Sequence, residues 1–276
     1  MNGKLLSLIV SGLPLLAFGI VWVFFVNPRI ERIPETYSSE IVFQGQYQML
    51  THSEVDQITT LRIDASINTK TFSNDSIHLA ENIYSPTMEL TIPSLKLPAY
   101  STEFVVNRRT RDYVGMGGRA IEGKFSFPVN IEEHSRYLIR NNLSQTVIQY
   151  EFIKTKEIYG IDTYEFHGHI SDMPKKNYPF TPPSALVKTL WPTMKDYRSQ
   201  PNAVLDYSVE IYVEPKSGIV VDRTDIATLT SIAEGPKSKT PIFISEIKFT
   251  EQTTLDNINK AKKRKLQLAI YGFYGP

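Results

Sequence analysis

The first pattern along the chain is an apolar run from Leu5 to Val26 that contains no charged side chain. As a helix rising ~1.5 Å per residue, such a run is about 33 Å long, enough to cross a hydrocarbon core of roughly 30 Å with a slight tilt. It exceeds the ~7–15 residues of a signal-peptide core, and Asn27-Pro28-Arg29 follows it in place of a small-residue cleavage site. Residues 1–26 are therefore expected to form an N-terminal transmembrane helix, with Trp22, Phe24 and Phe25 as interfacial aromatics at its exit. Pro28 and Pro34 punctuate a polar stretch, and residues 27–40 read as a linker.

At Ile41 the period becomes two. Ile41, Phe43, Tyr47 and Met49 oppose Gln44, Gln46 and Gln48, and Leu61, Ile63, Ala65 and Ile67 oppose Thr60, Arg62, Asp64 and Ser66. Two strands, each with one wet face, are expected to pair across the polar residues between them. The pattern weakens between Asn68 and Leu97, and Thr102 to Arg109 reads as a further strand. The glycines of Tyr113 to Arg119 mark a turn, because no Lys-Ser or Lys-Thr follows to make a phosphate loop. Thr146 to Ile158 and Ile161 to Ile170 form a hairpin around Tyr159-Gly160, with Ile148, Tyr150 and Phe152 on one side and Tyr164, Phe166 and Ile170 on a matching face. A proline-rich crossover follows, in which Ser184 can cap a short covering helix to Leu190. Leu205, Tyr207, Val209, Ile211 and Val213 then alternate up to the turn Glu214-Pro215-Lys216-Ser217-Gly218. Further strands follow from Ile219, through Ile226 to Ala233, and from Pro241 to Phe249. From Thr254 the spacing is helical, then basic, then apolar from Leu266 onward but too short to span a bilayer.

Composition narrows the function more than the fold. A net charge of +1 gives no global field for nucleic acid, so nucleic-acid binding is not expected. The absence of cysteine excludes disulfides, thiolate metal sites and cysteine nucleophiles. Neither a Gly-x-Ser-x-Gly elbow nor a His-Glu-x-x-His helix occurs, so no catalytic residue, no cofactor and no enzyme activity are expected. Glu165, His167 and His169 share one strand face and are the candidates for a metal; the competing reading is that they are simply the wet face opposite Tyr164 and Phe166. Asn74 and Asn142 stand in formal glycosylation triplets.

Several motifs together carry a resemblance: Ile33-Pro34 after the apolar run, Phe43-Gln44-Gly45, Phe127-Pro128, Gly160-Ile161-Asp162-Thr163-Tyr164 and Val213-Glu214-Pro215-Lys216-Ser217-Gly218. In this order they are similar to a mainly actinobacterial, membrane-anchored family of unknown function sometimes labelled PorA-type porins. The resemblance implies a second span starting near Leu266 and transfers no catalytic residue. A looser likeness, to lipoprotein-carrier half-barrels, implies a curved sheet that holds an acyl chain beneath covering helices.

The expected fold is mainly β (β-rich α+β). It comprises a long curved antiparallel sheet, half-barrel-like, with one or two short covering helices and the N-terminal transmembrane helix. Residues 41–253 form the extracytoplasmic domain, and 254–276 a basic helix and apolar end near the membrane. The expected function is that of a non-enzymatic envelope protein whose partners are the membrane and either a lipid-like ligand or another envelope protein, with a porin-related component or a metal-dependent enzyme or hydrolase as alternatives. The N-terminus is placed in the cytoplasm and the main domain outside. Tyr150, Phe152, Tyr164, Phe166, Tyr207, Val209 and Ile211 are the candidate apolar ligand face, and Lys260, Lys262, Lys263, Arg264 and Lys265 the candidate contacts to lipid headgroups.

Overall fold

The computed structural model describes residues 31–51, 54–73, 75–89, 95–96, 100–114, 122–141, 146–174, 203–232 and 239–273. They form eleven strands: β1 (Ser38–Thr51), β2 (Glu54–Phe72), β3 (Ser76–Glu89), β4 (Leu95–Lys96), β5 (Tyr100–Asn107), β6 (Tyr137–Asn141), β7 (Thr146–Ile158), β8 (Ile161–Pro174), β9 (Ala203–Glu214), β10 (Ile219–Ile232) and β11 (Lys239–Phe249). One helix follows, α1 (Glu251–Phe273). The strands pair antiparallel in the order β4-β3-β2-β1-β11-β10-β9-β8-β7-β6, with β5 also on β3. All neighbours on this path are consecutive in sequence except β1 and β11, so the last strand returns to lie beside the first.

Register explains why alternation became a core. Ile63 lies opposite Phe43 and Phe43 opposite Phe249, while Arg223 lies opposite Ile211, Ile211 opposite Phe166 and Phe166 opposite Phe152. These rows belong to one face, and Phe43, Ile63, Ile211, Phe166 and Phe249 are buried in a single apolar cluster. The opposite face carries exposed Gln44, Gln46, Gln149 and Glu151. Gly168, facing Tyr150 and Val209 across the ladder, lets the neighbouring side chains in: a Cβ there would stand 2.3 Å from Ile148 Cγ2.

The sheet is open, yet its edges approach each other. Between β5 and β6 run isolated bridges from Val106 to Tyr113, from Asp112 to Lys124 and from Lys124 to Ile139. The Lys124 amide donates to the Leu138 carbonyl at 2.9 Å, and the Phe125 amide to the Arg111 carbonyl at 2.8 Å. Residues 111–113 and 124–125 thus form an irregular seam across the gap of a rolled sheet, and Phe127, just beyond it, packs into the main core. This is why β2 and β6, far apart in strand order, share one core cluster.

α1 is capped by Thr250, whose Oγ1 accepts the Thr253 amide at 3.3 Å, and is tied to β1 by the Val42 amide donating to Thr253 Oγ1 at 3.0 Å. Ile258 and Ala261 bury against Ile161, Tyr212 and Val221. A register shift between Val220 and Asp222 makes this possible, because it turns Val221 toward the helix while Arg223 and Asp225 turn toward the sheet's interior.

Three expectations change. Residues 31–37 do not behave as a linker: Ile33 is buried in a second apolar cluster with Ile67, Ile77, Leu79, Phe104 and Val106, and its amide donates to the Arg108 carbonyl at 2.9 Å. The expected basic helix from Thr254 begins three residues earlier, at Glu251, and it is this helix that packs on the sheet. The outer face near Glu165 is not simply wet, since Glu165 is itself buried. The expected transmembrane helix over 1–26, the helix from Ser184 to Leu190, the glycine turn after Val114, Asn74 and Asn142 lie outside the described residues; among the described ones, no helix is long and apolar enough to cross a membrane.

Candidate ligand cavity

Inside the roll, between the main core and the second cluster, lies a cavity of about 320 Å3. β1 and β2 supply Ile41, Phe43, Ala65 and Ile67 to it; β6, β7 and β9 supply Ile139, Tyr150 and Ile211. Residues 32–39 cross one side, and the seam brings Phe125 and Phe127. Asn257, Lys260 and Arg264 come from one face of α1, as spacings of three and four residues require. The volume falls within the roughly 300–1,000 Å3 of small-molecule sites, and the predominantly apolar wall with a few convergent polar groups matches their usual make-up.

Charge distinguishes this cavity from a packing gap. Among the described residues, six cationic side chains line it, Arg32, Arg111, Arg140, Arg223, Lys260 and Arg264, against one carboxylate, Glu81. Arg223 is compensated within the fold. Its Nε donates to Asp225 Oδ2 at 2.7 Å and its Nη2 to Asp225 Oδ1 at 2.7 Å, while its guanidinium lies 5.6 Å from the centre of the Phe43 ring. Burial alone would lower the Arg223 pKa, but Asp225 together with Tyr207 and Tyr150 outweighs burial and holds it well above the ordinary arginine value. The Tyr207 hydroxyl also donates to Asp225 and accepts from Asn141 Nδ2 at 2.7 Å, so this inward-facing polar group is fully engaged.

Arg111 is different. It is buried, and its Nη2 donates to the Glu31 carbonyl at 3.3 Å. Burial, and then the charge of Arg264, brings its pKa down to about 10. Burial also lowers Arg264, whose Nη2 donates to the Arg32 carbonyl at 3.3 Å. Two guanidiniums are thus held near one another in a desolvated setting that disfavours their charge. Burial pushes the Tyr150 phenol up, leaving it a neutral wall group.

A second cluster lies on the outer face. His167 Nε2 is 3.0 Å from Glu165 Oε1 and 3.3 Å from Glu210 Oε2, and these three residues offer ligand atoms all within 4.8 Å of one another. His169 is not part of the group; its Nε2 is 2.8 Å from Ser171 Oγ. The cluster is also cross-linked internally: Lys154 Nζ lies 3.7 Å from Glu165 Oε2, Tyr212 donates to Glu210, and Lys156 Nζ donates to the Tyr212 hydroxyl at 3.0 Å. A cation would have to displace these contacts.

Of the seven candidate ligand-face residues, Tyr150 and Ile211 line the cavity. Phe166, Tyr207 and Val209 are buried within the main core, and Phe152 and Tyr164 pack half-buried against it. Of the five basic residues expected at lipid headgroups, Lys260 and Arg264 line the cavity and Lys265 reaches buried Glu214 at 3.6 Å, whereas Lys262 and Lys263 are exposed. Sequence reasoning missed Arg32, Arg111 and Arg140, which come from separate segments. It also missed Arg223, for which a signal existed: Arg223 and Asp225 are in phase with Ala227 and Leu229.

No curated protein matches the chain. Among solved structures, an N-terminal dehydratase from the difficidin assembly line is 7% identical with a TM-score of 0.13, covering 89% of this chain and 88% of that one. The dehydratase domain from the CurK module of curacin polyketide synthase is 12% identical with a TM-score of 0.11, covering 76% of each chain. At such scores neither likeness carries an argument. The family model for Porin PorA, in contrast, matches residues 6–276, and the chain belongs to that family.

Proposed function

We propose that the protein is a membrane-anchored, non-enzymatic envelope component whose β-rich domain stands outside the cytoplasm and takes up an apolar, lipid-like chain. The observation that carries this reading is the cavity of about 320 Å3 walled by inward-facing side chains of the rolled sheet. A segment on the order of ten methylenes fits this volume, taking each as similar to the ~30 Å3 share of a water. Burial of each methylene contributes about 0.8 kcal/mol before the costs of association. The uncharged run from Leu5 to Val26 supports the anchor.

Family membership favours a second reading, a channel-related component. A transmembrane β-barrel turns its apolar residues to lipid and its polar ones to the lumen. Here the polarity runs the other way, with Phe43, Phe166 and Phe249 inside and Gln44, Gln46 and Glu151 outside, which supports the carrier reading over a pore made by this sheet.

The test is mass spectrometry of the full chain released from its native membrane in a mild non-ionic detergent. The expected result is a lipid bound at one per chain, lost in Ala65→Phe, which fills the cavity from its wall. An empty wild-type protein, or equal occupancy in Ala65→Phe, overturns the reading. Single-channel conductance by the pure protein in planar bilayers would establish the porin alternative instead.

A further inference from the structure

The apolar wall calls for a chain, but it does not call for arginines. Cationic side chains beside an apolar wall cost free energy unless polar or charged groups compensate them, and two arginines of this region have a carboxylate partner within the fold. Arg223 has Asp225; Arg108, close by in the second layer of charge, has Glu35 at 3.5 Å and the Ile33 carbonyl at 2.9 Å. Buried Arg111, half-buried Arg140 and Arg264 and the more exposed Lys260 border the cavity itself, where Glu81 is the single lining carboxylate among the described residues. They come from the seam, from β6 and from α1, so no local helix or strand requirement gathers them. What they share is the space they face.

From this convergence we propose that the cavity takes an amphiphile whose head is a phosphate monoester: the apolar wall of β1, β2 and β9 holds the chain, and Arg111, Arg140, Lys260 and Arg264 hold the head. The inference rests on the proposed chain-binding function and assigns its ligand class. A phosphate monoester carries close to two negative charges at neutral pH and three acceptor oxygens, which suits several convergent guanidiniums better than a carboxylate does. Guanidinium forks supply paired N–H donors that match phosphate oxygens. Burial lowers the pKa of both Arg111 and Arg264. An anion bound there restores both toward the ordinary arginine range.

The experiment uses the full chain in a non-ionic amphipol and four probes: decyl phosphate, decanoate, decanol and inorganic phosphate, titrated calorimetrically at low and high salt. Decyl phosphate is expected to bind at least about tenfold tighter than decanol, with decanoate between them, since charge-assisted hydrogen bonds are the strong ones. The preference is expected to shrink as salt rises and to fall below about threefold in Arg111→Gln/Arg264→Gln, with decanol binding unchanged in that variant. Circular dichroism and the retained decanol binding show that the variant is folded. Equal binding of decanol and decyl phosphate overturns the head-group assignment and leaves the chain-binding function standing. Failure of every chain-bearing probe overturns chain binding itself. Inorganic phosphate binding as tightly as decyl phosphate also overturns the proposal, because it makes the site one for a free anion.

Discussion

Arg223 and Asp225, two positions apart on β10, form a two-armed ion pair with both arms at 2.7 Å, inside the sheet and between aromatic neighbours. Only Arg223 faces the cavity; Asp225 is buried behind it and also accepts from Tyr207. A charge pair in this position needs both members. Asp225→Ala is expected to destabilise the domain by ~3–5 kcal/mol, as removal of one partner from a buried pair does, read as a loss of urea midpoint at unchanged slope. A loss below about 1 kcal/mol would show that water or another anion already shares the Arg223 charge.

Two glycines with similar backbone angles separate conformational strain from close approach. Gly160 has φ of +74° and a Cβ there would meet nothing within 4 Å; Gly218 has φ of +71°, but its Cβ would stand 2.0 Å from the Pro128 carbonyl oxygen. Gly160→Ala is expected to cost only the left-handed strain, about 1 kcal/mol. Gly218→Ala adds displacement of residues 127–131, whose amides at Asn130 and Ile131 donate to the carbonyls of Lys216 and Pro215 at 3.1 and 2.9 Å. It should exceed the first by at least about 2 kcal/mol in thermal unfolding, and equal costs would contradict the docking of Phe127 beside that turn.

What the sequence made legible follows from period two. Ile63, Phe43 and Phe249 each sit in a clean alternating run, so their face could be assigned without knowing their partners. The bulge after Val220 was not legible, because one extra residue reverses the face of everything beyond it, and Val221 and Arg223 then serve opposite sides. β3 was hidden by its mixed composition from Ser76 to Glu89, where register against β2 shifts twice. The cationic side of the cavity was least visible of all: Arg111, Arg140 and Arg264 lie on three elements, and only the rolling of the sheet and the seam bring them to one space.

The outer cluster gives a separate test. Because Lys154 and Tyr212 already engage the carboxylates of Glu165 and Glu210, and Lys156 holds the Tyr212 hydroxyl, the pure protein is expected to show no saturable rise in melting temperature with Zn2+ or Mn2+. His167 is half exposed, so His167→Gln should change stability by no more than about 1 kcal/mol. A one-to-one metal that disappears in His167→Gln would instead make Glu165, His167 and Glu210 a metal site.

Asp222 sets a pH dependence with a defined sign. Burial raises its pKa above 3.8, opposed by the hydrogen bonds it accepts from the Arg223 amide at 2.9 Å and Thr254 Oγ1 at 3.1 Å. With the folded pKa above the unfolded one, the folded state binds more protons in the interval between them, so this group lowers stability as pH rises through that interval. Asp222→Asn keeps an acceptor and removes the charge. Its stability relative to wild type should therefore climb from pH 3.8 through the raised value and then level off; a flat difference across that range would remove Asp222 as a contributor.

Arg111 yields the sharpest conflict between stability and binding. Its pKa of about 10 lies below that of an ordinary arginine, through burial first and the charge of Arg264 second. A base whose folded pKa is depressed carries its full penalty below the folded value, and the penalty is relieved only as pH rises from about 10 toward the ordinary arginine value. At neutral pH, Arg111→Gln removes that penalty but also gives up the bond to the Glu31 carbonyl and some packing. The expected net is a stabilisation of the empty protein by about 1 kcal/mol. Saturating decyl phosphate should reverse the order, because ligand that binds the folded state of the wild type more tightly raises its stability more. Melting curves of both proteins, with and without the ligand, should therefore cross, and a variant less stable than wild type in both conditions would make Arg111 a structural residue and not a ligand contact.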